Sequence, residues 1–321
     1  MMLLALIAGF ALLLAGGEFL VRGAVGTAAR LGVSPVVAGL VIVGFGTSTP
    51  ELMTSLTAAF AGSPGIAVGN VVGSNICNIL LILGITATLF PVAIDPGPFR
   101  RDGSVLFVVT AAAVAVIAFG DLTRALGITF VAALLVYVVY TYLVERARHT
   151  EAEAVYEGEA DLKSTPGLSL WAALGVAAAG LAGVLIGADL LVDSAIHLAR
   201  AAGVSETIVG LTVVALGTSL PELATAVVAG LRKQTDVAVG NVIGSNIFNV
   251  LFILGTTATI KPIPVPPELI HFDVWVMVAA TLTMLLFVRT GWRVSRREGA
   301  LLLLGYVAYV GFAAMRVGAI G

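Results

Sequence analysis

The chain has 321 residues, 59% of them hydrophobic and only 11% charged, with a mean hydropathy of +1.07. That composition excludes an ordinary soluble domain and makes lipid the solvent to assume. A net charge of −2 gives no basis for nucleic-acid binding, and the single cysteine, Cys77, excludes an intrachain disulfide.

Apolar runs long enough to cross a bilayer, about 20 residues each, recur along the whole sequence. They predict helices over 2–21, 35–61, 66–90, 104–119, 124–144, 169–192, 206–231, 236–260, 271–289 and 299–317. The runs lack the alternation of barrel strands, and hydrocarbon requires every backbone group to find an internal partner. The fold class is therefore an all-α integral membrane protein of about ten transmembrane helices. The first run has no basic segment before it and carries Glu18 near its end, so it is a membrane helix rather than a signal peptide.

The second run contains GTSTPE at 46–51 and the third GNVVGSNICN at 69–78. After the fifth run comes a polar, mainly acidic stretch, 145–168, with Glu151, Glu153, Glu157, Glu159 and Asp161 close together. It is a solvated linker, and its spacing does not match an EF-hand loop. The seventh run then carries GTSLPE at 217–222 and the eighth GNVIGSNIFN at 240–249. Both motif pairs share an offset of 171, which also aligns Glu18 with Asp189 and Pro91 with Pro262. The chain is one five-helix unit twice: residues 1–144, the linker 145–168, and residues 169–321.

An odd number of crossings per unit inserts the second copy upside down, so the repeats are inverted. The basic residues test this independently, because inner loops are enriched in them. With both termini outside and the linker in the cytoplasm, only Arg124, Arg200, Lys261 and Arg316 of the 17 basic residues lie outside. The location expected is the cell (inner) membrane.

Glu51 and Glu222 sit inside apolar runs, where a carboxylate costs about 2.5–3.5 kcal/mol on insertion scales. Proline before each removes a backbone donor, and the preceding Gly-Thr-Ser supplies hydroxyls and a flexible turn. Broken helices at mid-membrane leave carbonyls free to bind a cation. In the next helix Asn70, Ser74 and Asn78 recur every four residues, as do Asn241, Ser245 and Asn249, so each set shares one face. Two inverted copies face to face would gather carboxylate, hydroxyl and amide oxygens, which suits hard cations such as calcium and sodium. Glu18 and Asp189, near helix ends, are expected to be structural or gating groups.

GTSxPE followed by GNxxGSNxxN, present twice, resembles the alpha-repeats of the calcium:cation antiporter superfamily, particularly its sodium/calcium exchanger branch. The resemblance covers nearly the whole chain. It implies a ten-helix fold, ion sites between helices two, three, seven and eight, and a sliding pair formed by helices one and six. It also implies a metal-binding set of Thr47, Ser48, Glu51, Ser74 and Asn78, with Thr218, Ser219, Glu222, Ser245 and Asn249, completed by the carbonyls of Gly44 and Ala215. Some sodium/calcium exchangers have aspartate where this chain has Asn249, which leaves two carboxylates here.

Two bare carboxylates in poorly solvated surroundings repel one another, so one calcium, two sodium ions or two protons must neutralise them. Mutually exclusive occupancy produces antiport. The coupling ion stays open between sodium, protons, and sodium with potassium. A cation channel would also use acidic groups, but inverted broken helices suit alternating access better. No enzyme is expected, because no GxSxG or Ser/His arrangement lies in the helices, and no cofactor is expected. His149, His197 and His271 fall in or near loops.

Overall fold

Lipid-solvated helices must use their own backbone bonds, and the computed structural model meets that demand almost entirely with helix. It describes residues 2–119, 121–156, 168–201, 215–265 and 272–318. The first crossing is α1 (Met2–Leu31). The second is assembled from α2 (Pro35–Ala38), a π-helical turn (Gly39–Val43), α3 (Gly44–Thr47) and α4 (Thr49–Phe60). The third runs through α5 (Pro64–Ile76), a π-helical stretch (Cys77–Leu83) and α6 (Gly84–Leu89). Then come α7 (Pro96–Phe119) and α8 (Arg124–Tyr156).

The second repeat begins with α9 (Leu170–Ala201). The predicted seventh run, 206–231, is described from residue 215 onward as α10 (Ala215–Gly217) and α11 (Leu220–Leu231); residues 206–214 lie outside the described residues. The eighth crossing repeats the third, with α12 (Thr235–Phe248), a π-helical stretch (Asn249–Leu254) and α13 (Gly255–Ile260). α14 (Asp273–Arg289) and α15 (Arg296–Gly318) complete ten helical segments among the described residues.

Several helices outrun the apolar windows. α1 continues to Leu31, α7 starts at Pro96 rather than 104, and α8 carries on into the acidic stretch as far as Tyr156. Hydropathy marks only the part in hydrocarbon, whereas Glu, Arg and Ala in 145–154 are good helix formers in water. Residues 157–167 of the expected linker, and His271, lie outside the described residues. The early start of α7 brings Asp102 into a helix, where it is fully buried and accepts from Arg101 at 2.6 and 2.9 Å. Hydropathy had left that ion pair in a loop.

The chain divides into two compact units, one of residues 1–47 and 132–244, the other of 48–131 and 245–321. Neither unit is a repeat. Each takes elements from both copies, because inverted copies interlock through equivalent helices.

In the first unit α1 and α9 run antiparallel along a glycine seam. A methyl group on Gly9 would come 2.9 Å from the Gly187 carbonyl oxygen, and one on Gly16 would come 2.8 Å from that of Gly180. The repeat offset carries Gly9 to Gly180 and Gly16 to Gly187, so the two contacts are copies of each other about a two-fold axis. Small residues let membrane helices approach this closely where large ones could not. Farther along the unit Gly240 and Gly244 receive Val36 and Leu40 of the second crossing in the same way.

In the second unit four two-residue strands form two antiparallel ribbons. β1 (Val92–Ala93) pairs with β4 (Arg293–Val294), and β2 (Asp121–Leu122) pairs with β3 (Ile263–Pro264). The offset takes β1 to β3, and β2 to within one residue of β4. Each ribbon joins the loop after the third or eighth crossing to a loop of the other copy. Such pairing requires those loops to share a membrane face, which holds when the copies are inverted. Polar contacts agree: Arg124 donates to the Thr259 carbonyl at 2.9 Å, and Arg296 to that of Leu89 at 3.4 Å, each within one predicted face.

Candidate functional site

Both glutamates occupy the first turn of a helix that restarts after an interruption. Ser48 (φ −78°, ψ 5°) and Ser219 (φ −93°, ψ 4°) precede α4 and α11, and Pro50 and Pro221 sit in the opening positions. Proline is tolerated there because the first turn has no use for its missing N–H. The carboxylates then stand beside the positive end of a helix dipole, which favours negative charge. Glu51 is 1% exposed and Glu222 2%. Burial so complete in both copies separates them from interfacial glutamates such as Glu18, which is ion-paired to Arg22 and, at 2.5 Å, to Arg232.

Each glutamate is held by an asparagine of its own repeat. Asn70 donates its amide to the Glu51 carbonyl at 3.0 Å and to Ser55 Oγ at 2.9 Å. Asn241 donates to the Glu222 carbonyl at 3.2 Å. The first asparagine of each stripe thus clamps a backbone carbonyl of its own repeat with its amide nitrogen. Replacing Asn241 with alanine removes one donor from the Glu222 carbonyl, which keeps the Thr225 hydroxyl at 3.2 Å, so we expect a loss of about 0.5–1.5 kcal/mol in stability, measurable as a lower unfolding temperature, with calcium transport weakened but not abolished.

Farther along the stripes, Ser74 and Asn78 are buried, as are Ser245 and Asn249. Asn249 donates to Asn75 Oδ1 at 2.9 Å, and Asn75 donates to the Asn246 carbonyl at 3.4 Å, joining the two copies within the second unit. Spending the Asn249 amide nitrogen in this way fixes its Oδ1 pointing elsewhere. Asn78 and Asn249 also begin or nearly begin the π-helical stretches of their crossings. A π turn adds a residue and rotates the helix beyond it, a device common at functional sites. Nothing in the 3.6-residue periodicity announces it.

Thr47 is buried at the end of α3, and Gly44 is buried at its start. The Thr47 hydroxyl donates to the Val43 carbonyl at 3.0 Å and lies within hydrogen-bonding reach of the Glu222 carboxyl. Its one proton serves one of these two acceptors, and its lone pairs remain for an acceptor role. Ala215 opens α10, and Thr218 and Ser219 fill the turn before α11. Among the described residues, Glu222 Oε2, Ser48 Oγ, Thr218 Oγ1, Asn78 Oδ1 and Asn249 Oδ1 are buried with no hydrogen-bond partner. All five are oxygens. A buried oxygen without a donor is costly in a dry interior unless a cation or proton joins it, and carboxylate, hydroxyl and amide oxygens are the ligand types a hard cation takes.

Two inverted five-helix repeats, each with a broken helix carrying a buried carboxylate and a neighbour carrying amide and hydroxyl oxygens, define a secondary cation antiporter, not an enzyme. Residues 1–143 and 172–315 match the family described as Sodium/calcium exchanger protein. The chain is 34% identical over 338 residues to the Sodium/calcium exchanger MaX1 of Methanosarcina acetivorans, covering 96% of this chain and 97% of that one. It is 37% identical over 317 residues to the Inner membrane protein YrbG of Escherichia coli, covering 95% and 94%. A solved structure of the sodium-calcium exchanger NCX_Mj superposes with a TM-score of 0.82 at 30% identity, over 97% of this chain and 98% of that one. The chain belongs to the sodium/calcium exchanger protein family.

Proposed function

We propose that this protein exchanges calcium for sodium across the cell membrane by alternating access, with Glu51 and Glu222 as ligands shared by the competing ions. The observation that carries this reading is the twin motif: in each copy a fully buried glutamate follows a helix break, with its carbonyl clamped by the asparagine 19 residues on. One calcium or two sodium ions balance two carboxylates, so the loaded site crosses low dielectric as a neutral unit and the empty site does not. Thr47, Ser48, Ser74, Asn78 and the Gly44 carbonyl supply neutral oxygens from the first copy. Thr218, Ser219, Ser245, Asn249 and the Ala215 carbonyl supply them from the second. Both termini face outward and the linker faces the cytoplasm, as the positive-inside rule requires.

Asparagine at 249 favours a second reading, calcium/proton antiport, since two protons neutralise two carboxylates as well as two sodium ions do. Radioactive calcium flux into proteoliposomes, driven in turn by sodium, potassium and pH gradients, separates the two. Flux driven by sodium alone supports the proposal. Flux driven only by a pH gradient moves the coupling ion to protons, a potassium requirement makes the exchange potassium-dependent, and no flux under any gradient overturns antiport. Membrane-potential dependence would reveal a third sodium per cycle.

A further inference from the structure

Away from the broken helices, a cavity of about 340 Å³ opens between the start of α7 and the end of α14, within the second unit. Its wall has two characters. Arg100, Arg289 and Ser104 supply polar groups to it, and Phe99, Phe107 and Leu285 supply apolar ones. The neighbouring Arg101 is neutralised by buried Asp102, but among the described residues neither Arg100 nor Arg289 has a carboxylate partner. The Arg100 guanidinium instead lies over the Trp292 ring, 5.1 Å from its centroid. Trp292 holds a left-handed backbone, φ 51°, that an aromatic residue rarely adopts. Its own backbone bonds hold it there: Trp292 N–H donates to the Val288 carbonyl at 2.8 Å, and Ile94 N–H donates to the Trp292 carbonyl at 2.9 Å.

The repeat offset does not reproduce the residues that line this cavity. The offset of 171 maps Arg100 to His271, Gly103 to Val274, Arg289 to Ala118 and Trp292 to Asp121. A methyl group on Gly103 would already touch Leu285 at 3.1 Å and Phe99 at 3.3 Å, so the valine at the equivalent position has a side chain where Gly103 leaves room. Duplicated transport machinery does not need this asymmetry. It occurs on the arginine-rich face, the one the positive-inside rule assigns to the cytoplasmic leaflet. Next to the arginines, Phe107 and Val108 turn outward, 49% and 63% exposed, where hydrocarbon chains would run.

We propose that this cavity binds an anionic phospholipid, with Arg100 and Arg289 holding the phosphate, Trp292 bracing Arg100, and the acyl chains lying along Phe107 and Val108. Two unneutralised arginines beside an apolar track match a lipid with a charged head and two tails, whereas a soluble anion has no use for the track. The test is native mass spectrometry of the purified full chain titrated with phosphatidylglycerol or phosphatidylcholine. Phosphatidylglycerol is expected to be retained preferentially, and the R100Q/R289Q variant should lose that retention by about thirty-fold, roughly five-fold per arginine. Unchanged retention in the variant overturns the site. If the variant does not fold, the wild-type protein still decides, because equal retention of the two lipids overturns the proposal. Excess inorganic phosphate that strips phosphatidylglycerol from the wild-type protein would assign the arginines to a free anion and likewise overturn it.

Discussion

Replacing Glu222 with glutamine is expected to abolish calcium transport while leaving the protein folded. Glutamine has nearly the same shape and keeps a carbonyl oxygen, and the Asn241 clamp acts on the backbone of residue 222, not on its side chain. On the proposed mechanism, what is lost is one of two negative charges facing a divalent ion. Removing one partner of a buried charge pair costs about 3–5 kcal/mol, so calcium affinity should fall by roughly two to four orders of magnitude. Glu51→Gln should do the same, since it sits at the equivalent place in the first copy and is as deeply buried. Calcium flux in proteoliposomes and calorimetric titration of the detergent-solubilised protein read the two effects. Either variant transporting at the wild-type rate would remove the glutamates from the proposed mechanism. Asn241→Ala is the informative control: it disturbs the same turn without touching charge, and should weaken transport only modestly.

The glutamates were legible in the sequence because their cost is written there. A carboxylate in an apolar run demands a reason, and a motif repeated at a fixed offset supplies one. The asparagines were harder to sort. The i, i+4 stripe treats Asn70, Ser74 and Asn78 as equivalent, whereas Asn70 bonds the Glu51 carbonyl and Asn78 leaves its Oδ1 without a donor. Periodicity places side chains on a face but carries no information about which backbone they will meet. Asn75 shows this most clearly. It lies off the stripe, yet it accepts from Asn249 and donates to the Asn246 carbonyl, and so fixes the orientation of a proposed ligand.

The fold was legible to a similar depth. Length, hydropathy and duplication gave ten crossings, and the odd number per copy gave the inversion that the antiparallel α1 and α9 and the paired loop strands display. Helix ends were not legible, since hydropathy falls where lipid ends and helices continue into water. The π-helical stretches at Cys77–Leu83 and Asn249–Leu254 were also hidden. Their sequences are ordinary apolar runs, and only packing selects the extra residue per turn. That both copies make the same excursion ties the π turns to the architecture and not to a local accident.

Gly180 carries the second large effect, and it tests the helix pair that alternating access would move. A methyl group there would stand 2.2 Å from the Leu20 backbone nitrogen and 2.7 Å from the Gly16 carbonyl oxygen. Both obstacles are backbone, so no side-chain rotation relieves the clash, and Gly180→Val must push α1 and α9 apart. Overpacking costs about 1–3 kcal/mol when the surroundings can shift; a rigid backbone contact belongs at the upper end or beyond, and thermal unfolding in detergent should show a clear drop. Gly175 in the same helix has nothing within 4 Å of its missing Cβ. Gly175→Ala should therefore hold or raise stability, by up to about 1 kcal/mol from helix propensity. Opposite signs five residues apart would establish that the seam, and not glycine content, holds the helices together. A smooth glycine face also has few ridges to lock one register against the next, as a sliding pair needs. If the pair slides during exchange, Gly183→Ala, whose added methyl group meets the Gly16 Cα at 3.2 Å, should slow sodium-driven flux more than it lowers the unfolding temperature. A fall in flux no larger than the loss of folded protein would leave the seam a purely static joint.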